Sequence, residues 1–242
     1  MSKTKTLRQR MKEGQVLVAL RGSLKTSKEE LADIWSTGGY DYIWIDGQHT
    51  PFTEQALVDY CRAAEELGID VQLRIPHTRH AYMVGRLLDF GPTGVLIPEV
   101  MEPETIDDAI AYAYYGPIGR RSWGGMNRRG LGQGLDRLAY ANWWNDYVIL
   151  AIQVESVEAV SNIQKLAKPG VTVVTFGPND LSFSLEDHPE FPLRSVDDCM
   201  RNVAAQLAGT DIRLAMGTPT KPEERQKYLD IGVTLFQADA PA

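Results

Sequence analysis

Asp46, Gly47, Gln48 and His49 follow at once on Tyr42-Ile43-Trp44-Ile45, a run that reads as a strand buried on both faces. Polar, titratable groups just past the carboxyl end of such a strand are where α/β folds place chemistry. Other strand ends carry complementary groups: Arg74, Gln153 with Glu155, and Gly177-Pro178-Asn179-Asp180. Glu155 and Asp180 close consecutive strands. Adjacent strands lie about 4.8 Å apart, so the two carboxylates can share a divalent cation, with Mg²⁺ or Mn²⁺ suited to the open octahedral positions. An ordinary salt-bridged rim is the alternative. His49 can serve as a general base if Asp46 fixes its tautomer, or it can be a loop or capping histidine. Arg74 lies in an apolar strand, where an unpaired charge is costly, so it must face the barrel mouth or a carboxylate. There its planar fork can stabilise a developing enolate or alkoxide. Residues 177–180 read as a turn into a helix start, suited to a substrate carboxylate or to turning alone.

The elements that must position these groups alternate regularly. Strands are expected at Val16–Leu20, Tyr42–Ile45, Val71–Ile75, Gly94–Val100, Val148–Val154, Val171–Phe176, Arg213–Met216 and Leu235–Ala238. Between them, helical spacing predicts helices over Glu29–Trp35, from Pro51 to Leu67, and over Ala81–Phe90, Pro103–Tyr114, Val157–Ala167, Ser195–Leu207 and Pro222–Ile231. Eight strands alternating with helices predict an α/β fold, a (β/α)8 barrel forming a single domain over residues 1–242; an open doubly wound sheet is the competitor. The rim would then collect Arg21, Asp46, Gln48, His49, Arg74, Glu99, Gln153, Glu155, Asn179, Asp180, Thr218 and Asp239. Tyr115 to Tyr147 reads as one long irregular stretch, a mobile loop near the barrel mouth. Its Gly130-Leu131-Gly132-Gln133-Gly134 follows no strand and lacks Gly-Lys-Ser/Thr, which argues against a nucleotide loop. Trp35, Trp44, Trp143 and Trp144 read as packing residues.

Composition narrows the partners. The chain has 242 residues, 43% hydrophobic and 24% charged, with a net charge of −7. An acidic surface argues against nucleic acid and anionic membranes, and no apolar run is long enough to span a bilayer. Cys61 and Cys199 have no metal-ligand spacing and fall on apolar helix faces, which fits a reduced, cytoplasmic protein.

Taken in order, Ile45-Asp46-Gly47-Gln48-His49, Leu73-Arg74-Ile75-Pro76, Val95-Leu96-Ile97-Pro98, Gly116-Pro117-Ile118-Gly119-Arg120-Arg121, Gln153-Val154-Glu155 and Phe176-Gly177-Pro178-Asn179-Asp180-Leu181-Ser182 resemble the HpcH/HpaI aldolase family, metal-dependent class II pyruvate aldolases on a TIM barrel. The resemblance covers nearly the whole chain. It implies Glu155 and Asp180 as ligands of Mg²⁺ or Mn²⁺ (with Co²⁺ or Zn²⁺ as further options), His49 with Asp46 as the acid/base unit, and Arg74 as the oxyanion stabiliser. Gln153, Gly177, Pro178, Asn179 and Arg121 would bind substrate. The implied reaction joins a pyruvate-like 2-oxo acid and an aldehyde, or cleaves the 4-hydroxy-2-oxo acid. The alternatives are decarboxylation of an oxaloacetate-type acid, or 2-oxo-acid and metal binding with little turnover.

Two departures stand out. Gln48 replaces the Glu usual in the family's Asp-Gly-Glu-His. If position 48 faces the imidazole, Gln48→Glu would raise the His49 pKa; the alternatives are that it faces the metal water or a neighbouring subunit. The chain also ends just after strand eight, without the final outer helix that the family often exchanges within a trimer or hexamer. A homo-oligomer is still expected.

Overall fold

A computed structural model describes residues 5–240. Eight parallel strands close in chain order into one barrel: β1 (Leu17–Arg21), β2 (Tyr42–Asp46), β3 (Val71–Arg74), β4 (Gly94–Ile97), β5 (Ile149–Val154), β6 (Val173–Phe176), β7 (Arg213–Pro219) and β8 (Val233–Ala238). Alternation along each strand divides the core in two. Leu17, Ala19, Tyr42, Trp44, Leu96, Ile149, Ala151, Val173, Ala215 and Leu235 point inward and fill the barrel. Leu20, Ile43, Ile45, Leu73, Val95, Ile97, Ile152 and Val174 point outward and pack under the helices. Each fully buried aliphatic side chain contributes about 1.5–3 kcal/mol of transfer free energy.

The short helix α1 (Leu7–Lys12) closes the amino end of the barrel. Its Leu7 and Met11 join the inner cluster, and Thr6 and Gln9 form a capping box at its start. The outer layer holds α2 (Lys28–Ser36), α3 (Glu54–Glu66), α4 (Val84–Leu88), α5 (Pro103–Ala113), α6 (Arg137–Tyr147), α7 (Val157–Ser161), α8 (Ile163–Leu166), α9 (Pro178–Asp187), α10 (Val196–Gln206) and α11 (Arg225–Leu229). Among the described residues no helix is long and apolar enough to cross a membrane. Cys61 and Cys199 are buried and unbonded, on apolar helix faces as expected.

Several boundaries differ from the sequence reading. α3 starts after Thr53, whose hydroxyl accepts the Ala56 N–H at 3.2 Å, so a side-chain cap rather than Pro51 opens it. The helix expected over 81–90 is a 3₁₀ turn (Thr78–Met83) leading into α4, and the one over 157–167 is two short helices meeting at Asn162. β7 continues through Gly217 and Thr218 to Pro219, with an irregular register against β8.

The larger correction concerns Tyr115 to Tyr147. Its second half is α6, opened by Asp136, whose carboxylate accepts the N–H groups of Leu138 and Ala139 at 2.9 Å. The whole segment joins α5 to β5, so it lies at the amino ends of the strands and not at the mouth. There Arg129 donates to the Ile69 carbonyl at 2.9 Å, Tyr147 donates to Asp70 at 2.5 Å, and Arg8 of α1 reaches the Val148 carbonyl at 3.0 Å. Trp144, fully buried, donates its indole N–H to the Ala113 carbonyl at 2.9 Å. These bonds pin the segment to the underside of the barrel.

Candidate active site

The β2–β3 register sets Asp46 opposite Arg74. Both face the barrel mouth. Arg74 donates Nε to Asp46 Oδ1 at 2.9 Å and Nη2 to Oδ2 at 2.6 Å, a bidentate pair with both side chains largely buried. Asp46 Oδ1 also accepts the backbone N–H of Gln48 at 2.9 Å and of His49 at 3.3 Å. Burial pushes the Asp46 carboxyl up, but the Arg74 guanidinium and these two N–H groups together hold it below the ordinary carboxylate range. Gly47 permits the turn because a Cβ there would stand 2.5 Å from the Arg74 carbonyl, which instead accepts the Gly47 N–H at 2.9 Å.

A cavity of about 440 Å³ opens above this pair. Arg74, Asp46, His49, Gln153, Gly177, Pro178, Asn179 and Asp180 all line it, so most of the residues singled out from the sequence come together. Glu155 is not among the residues that line it; it is buried against two that are, Gln153 and Gly177. Its Oε2 accepts Gln153 Nε2 at 2.6 Å and its Oε1 accepts the Glu99 N–H at 2.7 Å. Burial pushes the Glu155 carboxyl up to about 7; the Glu99 N–H acts against this, and the charge of Asp180 adds to it. Any side chain at Gly177 would collide with the Glu155 carboxylate and with Gln153, so glycine there lets the α9 start approach the carboxylate closely. Asp180 stands in the first turn of α9, where backbone N–H groups lack intrahelical acceptors.

Glu155 and Asp180 are hard oxygen donors of the kind a divalent cation takes; among the described residues no group of three or more His, Cys, Asp or Glu is gathered there. Among the described residues, no Lys or Arg hydrogen-bonds to Glu155 or Asp180, and the buried Gln153 Oε1 has no partner. Two hard oxygen donors, one of them buried and destabilised by the other's charge, form the donor set that a hard cation relieves.

Three expectations change. The Asp46 carboxylate contacts His49 through its backbone N–H and not through its ring; Arg74, opposite in the register, takes the carboxylate instead. Gln48 turns to Glu99, donating Nε2 to Oε1 at 3.0 Å. A carboxylate at 48 would therefore face Glu99, not the imidazole, which removes the basis for coupling position 48 to the His49 pKa. Arg121 is absent from the cavity. Its fully buried guanidinium pairs with Asp89 at 2.6 Å and stacks on Trp144, 4.3 Å from the ring centroid.

Two features carried no sequence signal strong enough to assign a role. Trp44, read as packing, does fill the inner barrel, but its ring also floors the cavity, with Arg74 Cζ 5.1 Å from its centroid. Its inward place in β2, two residues before Asp46, was the clue. Glu99 holds φ at +50°, an uncommon conformation for a non-glycine residue, and in it donates its N–H to Glu155.

Residues 24–212 match the HpcH/HpaI aldolase/citrate lyase family. A 2-keto-3-deoxy-L-rhamnonate aldolase of Escherichia coli is 31% identical over 205 residues, covering 82% of this chain and 74% of that one. The enzyme of the same name from Salmonella gallinarum is 31% identical over 202 residues, covering 81% and 73%. Among solved structures, an HpcH/HpaI aldolase from Desulfitobacterium hafniense superposes with a TM-score of 0.82 at 26% identity, covering 98% of this chain and 91% of that one. Fold and relatives together define an aldolase, a carbon–carbon lyase on a (β/α)8 barrel. The chain belongs to the HpcH/HpaI aldolase/citrate lyase family.

Proposed function

We propose that this chain uses a divalent metal, Mg²⁺ or Mn²⁺, to join a pyruvate-type 2-oxo acid to an aldehyde and to cleave the resulting 4-hydroxy-2-oxo acid. The observation that carries this reading is the convergence of the Arg74–Asp46 pair, His49, Gln153 and Asp180 on one cavity, with Glu155 hydrogen-bonded to Gln153. Glu155 and Asp180 hold the metal, which when bound supplies Lewis-acid polarisation of the donor's keto and carboxylate oxygens. The N–H groups opening α9 at Asn179 and Asp180 orient the donor carboxylate, and Gly177 and Pro178 shape the floor beneath it. In cleavage, His49 takes the proton of the C4 hydroxyl, directly or through one water. The C3–C4 bond breaks, its electron pair enters the enolate, and the aldehyde leaves. Arg74, held rigid by Asp46, stabilises the enolate oxygen, and the enolate then gains a proton at C3. Gln153 holds Glu155 Oε2 in place and keeps its own Oε1 free. Among the described residues no lysine lines the cavity, and the reading needs no Schiff base.

The reading includes a cytoplasmic homo-oligomer, trimer or hexamer. The two unbonded cysteines support a reducing compartment.

Pyruvate release from a 4-hydroxy-2-oxo acid should be abolished by a chelator and restored by Mg²⁺ or Mn²⁺. Asp180→Asn should lower it on the order of 10³-fold with the fold retained by circular dichroism. Full chelator-resistant activity in that variant overturns the metal assignment.

A further inference from the structure

The cavity has a second half that the reaction above leaves unused. Trp44 floors it between two guanidinium groups: Arg74 Cζ lies 5.1 Å and Arg21 Cζ 5.8 Å from its ring centroid. Arg21 follows Leu17 and Ala19 in the inward alternation of β1, so its side chain enters the barrel mouth beside Thr50 and Thr218. The two arginines differ in how they are held. Arg74 is buried and bound bidentately. Arg21 is 41% exposed and makes one 3.3 Å contact to Asp239, itself 67% exposed. An exposed pair of this kind contributes about 0–1 kcal/mol, so an incoming anion displaces Asp239 at little cost. The indole Nε1 of Trp44, a residue of the same cavity wall, is buried and has no hydrogen-bond partner among the described residues.

We propose that Arg21 selects the acceptor substrate by binding an anionic group, a carboxylate or a phosphate, at the end of the aldehyde remote from its carbonyl. The inference rests on the aldolase reading. In that reading the donor occupies the β3, β5 and β6 side, against Arg74, Gln153 and α9. The acceptor carbonyl must meet donor C3 within reach of His49, at the end of β2. β1 is the neighbour of β2 on the side away from β3, so an acceptor chain extending away from the donor runs toward Arg21. Gly217 lines the cavity on the β7 side, its missing side chain allowing close approach to the Phe176 carbonyl. Arg21 is thus a specificity-determining residue, and the cavity favours acceptors that carry a negative charge.

The test measures kcat/KM for addition of pyruvate to paired aldehydes by the Mn²⁺-loaded enzyme: 4-oxobutanoate against butanal, and glyceraldehyde 3-phosphate against glyceraldehyde. The expected result is a preference for the charged member of at least one pair by about tenfold or more, expressed mainly in KM. The preferred pair identifies carboxylate or phosphate as the group recognised. Arg21→Met should erase most of that ratio, and Arg21→Lys should keep part of it. Equal kcat/KM for both members of both pairs in the unaltered enzyme, or an undiminished ratio in Arg21→Met, overturns the proposal. Deuterium exchange into the pyruvate methyl group by the unaltered enzyme, run without acceptor, reports the donor half separately. Absent exchange sinks the aldolase reading, whereas exchange without charge preference sinks only the role of Arg21.

Discussion

Two buried arginine–aspartate pairs lie at opposite ends of the barrel. At the carboxyl end, Arg74 pairs with Asp46; at the amino end, Arg121 pairs with Asp89, each with a 2.6 Å contact. Both guanidinium groups are largely buried, and both stack on a tryptophan. The difference is what lies beyond the pair. Arg74 opens onto a cavity of about 440 Å³ with His49 and Asp180 across it. Arg121 is enclosed by Tyr115, Trp144 and Asp89, and its Nε and Nη1 have no partner. A buried cation therefore marks chemistry only where it borders space for a substrate; elsewhere it fixes packing.

The comparison breaks first on Arg74→Lys. Lys keeps the charge but replaces a planar fork with a point charge on a flexible stem. Methyl-proton exchange of pyruvate should slow about 10²–10³-fold, the usual loss for one oxyanion donor, with little change in stability. Near-normal exchange would show that Arg74 only braces Asp46. Arg121→Met should do the reverse. It leaves Asp89 without its partner and should cost about 3 kcal/mol in denaturant unfolding, while kcat/KM per folded molecule stays the same. A large loss of kcat with normal stability would return Arg121 to the substrate site.

The smallest effect concerns Glu155, whose carboxyl is pushed up by burial from 4.5 to about 7. A carboxyl raised in the folded state keeps a proton there that the unfolded chain has lost. Its contribution to stability is complete below about pH 4.5 and is lost as pH rises through about 7. The chelated enzyme should therefore lose about 2–3 kcal/mol across that window. Glu155→Gln should flatten the dependence, and added Mn²⁺ should offset the loss at the alkaline end. An equal slope in the Gln variant would mean that Glu155 is ionised throughout.

The fold and the rim were legible because both follow from local patterns. Continuous apolar runs such as Tyr42–Ile45 mark strands covered on both faces, and eight of them alternating with helices close into a ring. A ring of parallel strands brings every carboxyl end to one rim, so Asp46, Arg74, Gln153 and the Gly177–Asp180 turn had to meet. The same topology could have placed Arg121 correctly, because a segment between a helix and the next strand returns to the amino end; the glycines of residues 116–134 suggested a mouth loop instead.

The sequence by itself determined which residues reach the rim and which end of the barrel is the mouth. Only the tertiary structure decided their partners. Asp46 binds Arg74 rather than the His49 ring because the β2–β3 register sets those two side chains opposite one another. Gln48 turns to Glu99, and Glu99 adopts a left-handed backbone to reach Glu155, because β4 and β5 bring those groups within hydrogen-bond distance. Periodicity specifies which face a side chain occupies. The partner it meets depends on register and on chains distant in sequence, which no local pattern contains.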